Sequence, residues 1–217
     1  AHVSHINVEG HKDGGYGNDD YVTRVNADIL ASIDKAESVS RVVVTSSIAA
    51  VVSETNPDEM QKRPVIYEDR YPDEDNPRLS GYSRSKQYAE RVFTEAAMKS
   101  GRWDVISCCP GDNIGPIQAE HHANGGPWQG LMKKMLRGEC DPSVHGYRPW
   151  HTVDVRDTAA LHVAILESVA VHNGDRYIAF NGHRIDIEDV CLRIDHLLPE
   201  LGYATPNVSE DLDEKGL

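Results

Sequence analysis

The chain alternates short apolar runs, rich in β-branched residues, with longer stretches in which apolar residues recur at helical spacing. Residues 21–36 have the helical spacing and precede the short apolar run Arg41–Thr45. A second helical stretch, 82–99, precedes the apolar run 104–109, which the pair Pro110-Gly111 ends. Strands that alternate with helices in this way form parallel sheets with helices on their faces. The pattern therefore predicts an α/β fold.

The second half of the chain continues the alternation with shorter elements. Helices are predicted over 130–137, 153–167 and 187–198, and a strand over 175–180. Asp154 falls in the predicted first turn of the helix 153–167, where the positive end of the helix dipole stabilises a carboxylate. No segment repeats another, so the length predicts one large domain, or a domain with a small appendage.

Composition narrows the range of partners. At 217 residues, with 39% hydrophobic and 26% charged residues, the chain is typical of soluble globular proteins. The formal net charge of −13 disfavours nucleic acid and anionic membranes, because surfaces that bind phosphate need an excess of lysine and arginine. No apolar run approaches the ~20 residues of a membrane span, and no signal segment opens the chain. We expect a cytoplasmic protein without nucleic acid or membrane partners.

Residues that often bind metals lack the spacing of a metal site. The chain has four cysteines, Cys108, Cys109, Cys140 and Cys191. They form no C-x-x-C pair and are too few for a disulfide scaffold. His121 and His122 are adjacent, and adjacent residues on a regular element point in different directions. We expect free thiols and no bound metal.

Tyr82 and Lys86 carry the first candidate chemistry. Four residues apart on a predicted helix, their side chains share one face. An ammonium beside a phenol stabilises the phenolate and lowers a pKa that starts at about 10, so the hydroxyl can exchange protons with a substrate oxygen near neutral pH. The Y-x-x-x-K spacing is common on exposed helices, so its neighbours must support this interpretation.

Three motifs in a fixed order supply that support. Ser46 and Ser47 follow the predicted strand Arg41–Thr45, at the end where open α/β sheets bind ligands. The tyrosine and lysine motif follows in residues 81–90, and residues 109–116 read Cys-Pro-Gly-Asp-Asn-Ile-Gly-Pro. This order resembles the extended short-chain dehydrogenase/reductase family, the NAD-dependent epimerase/dehydratase group.

Other segments extend the resemblance over all but about the last dozen residues. Residues 2–4 are similar to the end of the family's fourth strand, Asn26 lies where the family has a recurrent asparagine, and residues 151–159 are similar to the segment after its substrate loop. The resemblance implies a partial Rossmann-like, doubly wound parallel sheet in residues 1–116. It also implies a small C-terminal α/β region, 117–217, that binds substrate, with 151–170 returning to the Rossmann core.

The resemblance also implies a function: reduction of a carbonyl to an alcohol, or the reverse, by an NAD(P)-dependent oxidoreductase. Tyr82 would exchange the proton, Lys86 would depress the Tyr82 pKa and bind the nicotinamide ribose, and Ser47 would hold the substrate oxygen. Asn26 would support the site or merely bond adjacent backbone. The implied cofactor-binding residues are Lys86, Tyr82, Ser4, Pro110, Gly111, Asn113 and Ile114.

Substrate contacts and assembly rest on the same resemblance. Trp128, Tyr147 and Trp150 fall in segments that the family uses as a substrate lid, although aromatic residues there also suit a core or an interface. The family often forms dimers through the helices around Tyr82 and Asn26, so we expect a homodimer. For Ser46, a hydroxyl bonded to backbone at the strand end is the favoured interpretation.

Two further functions stay open. The proline-rich stretch 51–79 and the segment 45–51 favour the dihydroflavonol reductase-like branch of the family. Nucleotide-sugar epimerases and dehydratases, the other branch, usually show a Tyr-Gly pair soon after the serine. This chain has Val51–Glu54 at that place. A protein that binds nucleotide without catalysis would not need an acid beside a cation. The chain also holds no G-x-x-G-x-x-G turn. We therefore expect a fragment of a longer reductase, in which the choice between NAD and NADP is not readable.

Overall fold

The structure, a computed structural model, describes residues 19–53, 65–77, 79–125, 127–137, 150–182, 184–185 and 187–199. Ser4 and Tyr147 lie outside these residues. The chain divides into two compact units. The first consists of Ala1–Asn113 and Val153–Asn181, and the second of Ile114–Thr152 and Gly182–Leu217. The assignment of a substrate-binding role to the C-terminal region stays a prediction.

The helices and strands follow one another in the predicted alternation. In chain order they are α1 (Asp19–Lys35), β1 (Arg41–Thr45), a 3₁₀ helix (Ile48–Ala50), α2 (Gly81–Ser100), β2 (Asp104–Pro110), β3 (Asp112–Ile114), α3 (His122–Gly125), α4 (Pro127–Leu136), β4 (Trp150–Asp154), α5 (Val155–Glu167), β5 (Arg176–Ala179), β6 (Arg184–Ile185) and α6 (Ile187–Leu197). The long helices and buried strands lie within two or three residues of their predicted bounds, because their apolar patterns are the strongest.

A parallel sheet forms the centre of the first unit. Within the described residues its strand order is β1-β2-β5, and β2 pairs in parallel with both neighbours. Val43 lies opposite Ile106, and Cys108 lies opposite Tyr177. Parallel strands need a crossover connection, which α2 supplies between β1 and β2 and α5 supplies before β5. This sheet confirms the predicted α/β class.

The sheet is buried on both faces, as in a doubly wound fold. Successive side chains of a strand point to opposite faces. Val42 and Val44 pack with Phe93 of α2, while Val43 packs with Ile165 of α5. Phe93 and Val43 are completely buried. Because each face of β1 meets an apolar helix face, the strand reads as a continuous apolar run rather than an alternating one.

Capping residues determine where the two helices α2 and α5 begin. Ser80 caps α2: its side chain accepts a hydrogen bond from the Ser83 N–H at 3.0 Å. The predicted start of the helix at Val153 is wrong, because Val153 and Asp154 belong to β4. Asp154 is instead the N-cap of α5, and its carboxylate accepts a hydrogen bond from the Arg156 N–H at 2.8 Å. The carboxylate therefore stabilises the helix start from outside its first turn.

The second unit contains short elements. β4 and β6 pair antiparallel, with Trp150 opposite Ile185 and His151 opposite Arg184. Sequence patterns did not predict either strand, because a two-residue strand such as β6 has no measurable period. Among the described residues, no helix combines the length and apolar character needed to cross a membrane. Nor, in this described part of the chain, do three or more His, Cys, Asp or Glu residues form a group suited to a metal ion.

Candidate active site

The carboxyl end of β1 carries the first part of the candidate site. Ser47 is the second residue after the strand end and caps the 3₁₀ helix: its Oγ accepts a hydrogen bond from the Ala49 N–H at 3.1 Å. The side chain is buried, with 7% of the residue exposed. Because this bond uses the hydroxyl oxygen as an acceptor, the hydroxyl hydrogen is left to donate to a substrate oxygen.

Lys86 is anchored at the same strand end. Its Nζ donates a hydrogen bond to the carbonyl oxygen of Thr45 at 2.9 Å, and the residue is 5% exposed. Burial lowers the Lys86 pKa to about 8, against the opposing effects of Glu90 and Cys109. At neutral pH the side chain is therefore mostly an ammonium ion. Because water is largely excluded around it, its charge acts strongly on neighbouring groups.

Tyr82 lies one turn before Lys86, in the first turn of α2. The Lys86 Nζ is 5.7 Å from the centroid of the Tyr82 ring, so the two side chains share one face of the helix. The helix α2 packs against the 3₁₀ helix that Ser47 caps. Ser47, Tyr82 and Lys86 thus lie on two elements in contact. Their catalytic roles stay predictions.

The end of β2 carries the predicted cofactor residues. Pro110 is the last residue of this strand, and the Gly111 N–H donates to the Ala179 carbonyl at 2.9 Å. The segment after Gly111 is partly a strand rather than a loop, since β3 begins at Asp112. Asn113 is exposed, and its Oδ1 accepts a 2.6 Å hydrogen bond from the Thr158 hydroxyl of α5.

Asn26 bonds its own helix. It is 4% exposed, and its Nδ2 donates to the Val22 carbonyl at 2.9 Å. Within the described part of the chain, the Oδ1 of the same side chain has no hydrogen-bond partner. This geometry favours the interpretation that Asn26 bonds adjacent backbone, and it leaves one polar atom that a supporting role could use.

The remaining predicted residues lie in or at the start of the second unit. Ile114 is its first residue, Trp128 is half-buried on α4, and Trp150 begins β4. The side chain of Trp150, like the whole of Tyr147, is outside the described residues. Their contact with substrate stays a prediction.

Sequence reasoning missed the groups behind the strand end. The Ser46 hydroxyl was expected to bond backbone, and this expectation was wrong: it donates to the Oε1 of Glu90. Glu90 also forms an ion pair with Arg176, with 2.7 Å between Oε2 and Nε. A signal was available, because Glu90 follows Lys86 by four residues on the apolar side of α2, where an unpaired acid would be costly.

This combination of fold and site location defines a class. Parallel strands with helices on both faces, and polar groups gathered at the strands' carboxyl ends, characterise Rossmann-like nucleotide-binding proteins. The model of the NAD dependent epimerase/dehydratase family matches residues 1–179. The chain belongs to this family, which confirms the resemblance carried by the motifs. The matched region ends at Ala179, earlier than the resemblance was expected to reach.

Individual relatives include both reductases and an epimerase. The chain is 28% identical over 158 residues to an uncharacterized oxidoreductase of Schizosaccharomyces pombe, a match that covers 67% of this chain and 45% of that protein. It is similar to the solved structure of yeast methylglyoxal/isovaleraldehyde reductase Gre2 complexed with NADPH, with 24% identity and a TM-score of 0.68 over 87% of this chain and 57% of that one. It is also similar to UDP-glucose 4-epimerase of Thermotoga maritima with UDP-glucose, with 17% identity and a TM-score of 0.58 over 84% of this chain and 54% of that one. The chain spans between 45% and 57% of the length of these relatives.

Proposed function

We propose that the protein reduces a small carbonyl compound to an alcohol with NADH or NADPH as hydride donor, or oxidises the alcohol with NAD+ or NADP+ as hydride acceptor. The observation that carries the proposal is the buried Lys86 ammonium, anchored on the strand end next to Ser47 and 5.7 Å from the Tyr82 ring. A buried cation beside a phenol stabilises the phenolate that remains when the phenol gives up its proton. A structural lysine would not need this neighbour.

Each side chain has one role in the proposed reaction. A nicotinamide cofactor held at this site would supply the hydride for the carbonyl carbon. The Tyr82 hydroxyl gives its proton to the carbonyl oxygen, and Lys86 stabilises the resulting phenolate. The Ser47 hydroxyl donates a hydrogen bond to the same substrate oxygen and orients it. In the alcohol-oxidising direction Tyr82 takes the proton back.

The residues present fit the nicotinamide end of such a cofactor. We expect the Lys86 ammonium to donate to a ribose hydroxyl, since its bond to Thr45 holds the Nζ at the carboxyl end of β1. We expect backbone groups of Pro110, Gly111 and Asn113 to contact the cofactor beyond the end of the adjacent strand β2, where this class binds its ligand. Thr158 fixes the Asn113 amide. The contact between Ser4 and the cofactor is part of the proposal and concerns a residue outside the described ranges.

A tyrosine variant tests the proposal directly. In the natural polypeptide that carries this chain, Tyr82→Phe should abolish the oxidation of NADH and NADPH by a panel of aldehydes and ketones that includes methylglyoxal and isovaleraldehyde. Its affinity for the two cofactors, measured by calorimetric titration, should change little. Tyr88→Phe is the matched control, about one and two-thirds turns further along α2, and it should keep activity. Full activity in Tyr82→Phe would refute the mechanism.

A sugar-nucleotide epimerase or dehydratase is the second candidate. The similarity to the solved UDP-glucose 4-epimerase favours it, and the same Ser-Tyr-Lys chemistry would serve it. Val51–Glu54, in place of a Tyr-Gly pair, favours the reductase. Incubation of the protein with UDP-glucose or with simple aldehydes distinguishes the two, because an epimerase needs no net consumption of reduced cofactor. A third candidate, a protein that binds nucleotide without catalysis, predicts cofactor affinity without turnover of any of these compounds.

A further inference from the structure

A polar cluster lies buried directly behind the candidate site. Its members are Ser46 on the strand end, Glu90 on α2 and Arg176 on β5, which are 2%, 2% and 8% exposed. The Ser46 hydroxyl donates to Glu90 Oε1, and Arg176 Nε lies 2.7 Å from Glu90 Oε2. A buried carboxylate is tolerated only when it is paired and hydrogen-bonded; here Oε1 accepts the hydrogen bond from Ser46, and Oε2 belongs to the ion pair with Arg176.

The remaining hydrogens of Arg176 fix this geometry. Its Nη1 donates to the carbonyl oxygens of Glu68 and Arg70, at 2.5 and 2.6 Å, and its Nη2 donates to that of Ala50 at 2.9 Å. The guanidinium carbon also lies 3.9 Å from the centroid of the Tyr71 ring. Because two chain segments, residues 68–71 and Ala50, hold the guanidinium, the cation beside Glu90 has a fixed orientation.

Glu90 and Lys86 together hold the helix on the strand end. They are four residues apart on one face of α2. They bond consecutive residues of the chain: Lys86 donates to the Thr45 carbonyl, and Glu90 accepts from the Ser46 hydroxyl. The next residue is Ser47. The position of Ser47 relative to α2, and hence to Tyr82, therefore depends on both contacts.

We propose that Glu90 is a positioning residue for the reaction: its carboxylate holds Ser46 and α2 in register, and its negative charge keeps the Lys86 ammonium charged in dry surroundings. This inference rests on the proposed function. It assigns to Glu90 two separable effects, one through a hydrogen bond and one through charge. A merely structural ion pair would produce neither.

The charges around the cluster make Glu90 the relevant anion. Lys86 faces Tyr82 and Glu90 on its own helix and Cys109 on β2, and Cys109 is a neutral thiol because burial, followed by the field of Glu90, raises its pKa. Glu90 in turn faces Arg176, Cys109 and Tyr71. Burial, followed by Glu90, raises the Tyr71 pKa to about 12, so this phenol is also neutral. Among the described residues of the cluster, Glu90 thus supplies the negative charge.

The variant Glu90→Gln removes the negative charge of this side chain and keeps its shape, and it is measured in the active protein. The glutamine keeps an oxygen that can accept from Ser46, but it removes the charge. We expect kcat to fall about tenfold or more, since small misplacements of reacting groups are costly. The alkaline limb of the profile of kcat/KM against pH should move down by at least about half a pH unit, because Lys86 loses its proton more easily without the anion. Ser46→Ala should lower kcat and leave the limb in place.

Two further variants serve as controls for the Glu90→Gln experiment. Glu95→Gln, on the exposed side of the same helix, should change neither kcat nor the limb. The single variant Glu90→Gln could fail to fold because it leaves Arg176 unpaired. In that case the double variant Glu90→Gln/Arg176→Gln, which removes both charges, should still show the alkaline limb of kcat/KM at a lower pH than the wild type. A folded variant with a wild-type profile overturns the inference.

The outcomes also separate this inference from the proposed function. Tyr82→Phe is measured in parallel: full activity in that variant overturns the mechanism and the role of Glu90 together. An inactive Tyr82→Phe combined with a wild-type pH profile in Glu90→Gln overturns only the positioning role. An inactive Tyr82→Phe combined with a lowered limb in Glu90→Gln supports both.

Discussion

The cost of burying the Lys86 charge can be measured by replacing the residue with methionine. Methionine keeps the length of the side chain but carries no charge. The Lys86 pKa is about 8 in the folded protein, against an ordinary value of 10.5. Because burial is the main cause, the folded state binds the proton less tightly than the unfolded chain does.

The direction in which the free energy of unfolding changes with pH follows from the two pKa values of Lys86. Below pH 8 both states carry the proton, so the penalty for burying the charge is present in full and constant. Between pH 8 and 10.5 the unfolded chain holds a proton that the folded protein has lost, so the free energy of unfolding rises with pH. One pKa unit corresponds to about 1.4 kcal/mol. From pH 7 to pH 10 the protein should therefore gain about 2 to 3 kcal/mol relative to Lys86→Met.

Urea unfolding at several pH values, followed by circular dichroism, measures this difference. Titrating groups that do not interact with Lys86 cancel, because they are common to both proteins. Lys99→Met is the matched control, because Lys99 is exposed near the end of the same helix and its replacement removes no buried charge. If the difference between wild type and Lys86→Met stays constant from pH 7 to pH 10, or falls, then Lys86 is not held as a desolvated cation and the reasoning about the site fails.

Three other predictions follow from single contacts. Phe93→Ala should lower the free energy of unfolding by about 3–5 kcal/mol, because Phe93 is completely buried between α2 and the sheet; a loss below 1 kcal/mol in urea unfolding would contradict this packing. Gly101→Ala should cost about 1–2 kcal/mol in the same assay, because Gly101 ends α2 with a φ of 62° that a Cβ disfavours, and an unchanged midpoint would argue against that backbone conformation. Thr158→Val should weaken NADPH binding about fivefold in calorimetric titration, through the lost hydrogen bond to Asn113, whereas Thr158→Ser should restore it.

The fold was predictable because its signals are local. A continuous apolar run such as Arg41–Thr45 can be satisfied only by a strand covered on both faces, and the structure places α2 and α5 there. Tyr82 and Lys86 share a helix face for the same reason, since a spacing of four residues fixes their relation within one turn. Short elements such as β6 were not predictable, because two residues carry no period.

The sequence alone determined the order of the long helices and of the strands β1, β2 and β5, the family, and the location of the candidate chemistry at the end of β1. These depend on spacing within single segments. Only the tertiary structure decided which buried groups hold the chemistry in place. Ser46 contacts Glu90 at a sequence separation of 44 residues, Thr158 contacts Asn113 at a separation of 45, and Arg176 contacts Glu90 at a separation of 86. No local pattern encodes such contacts, because they exist only once the sheet has brought its strand ends together and excluded water from the groups between them.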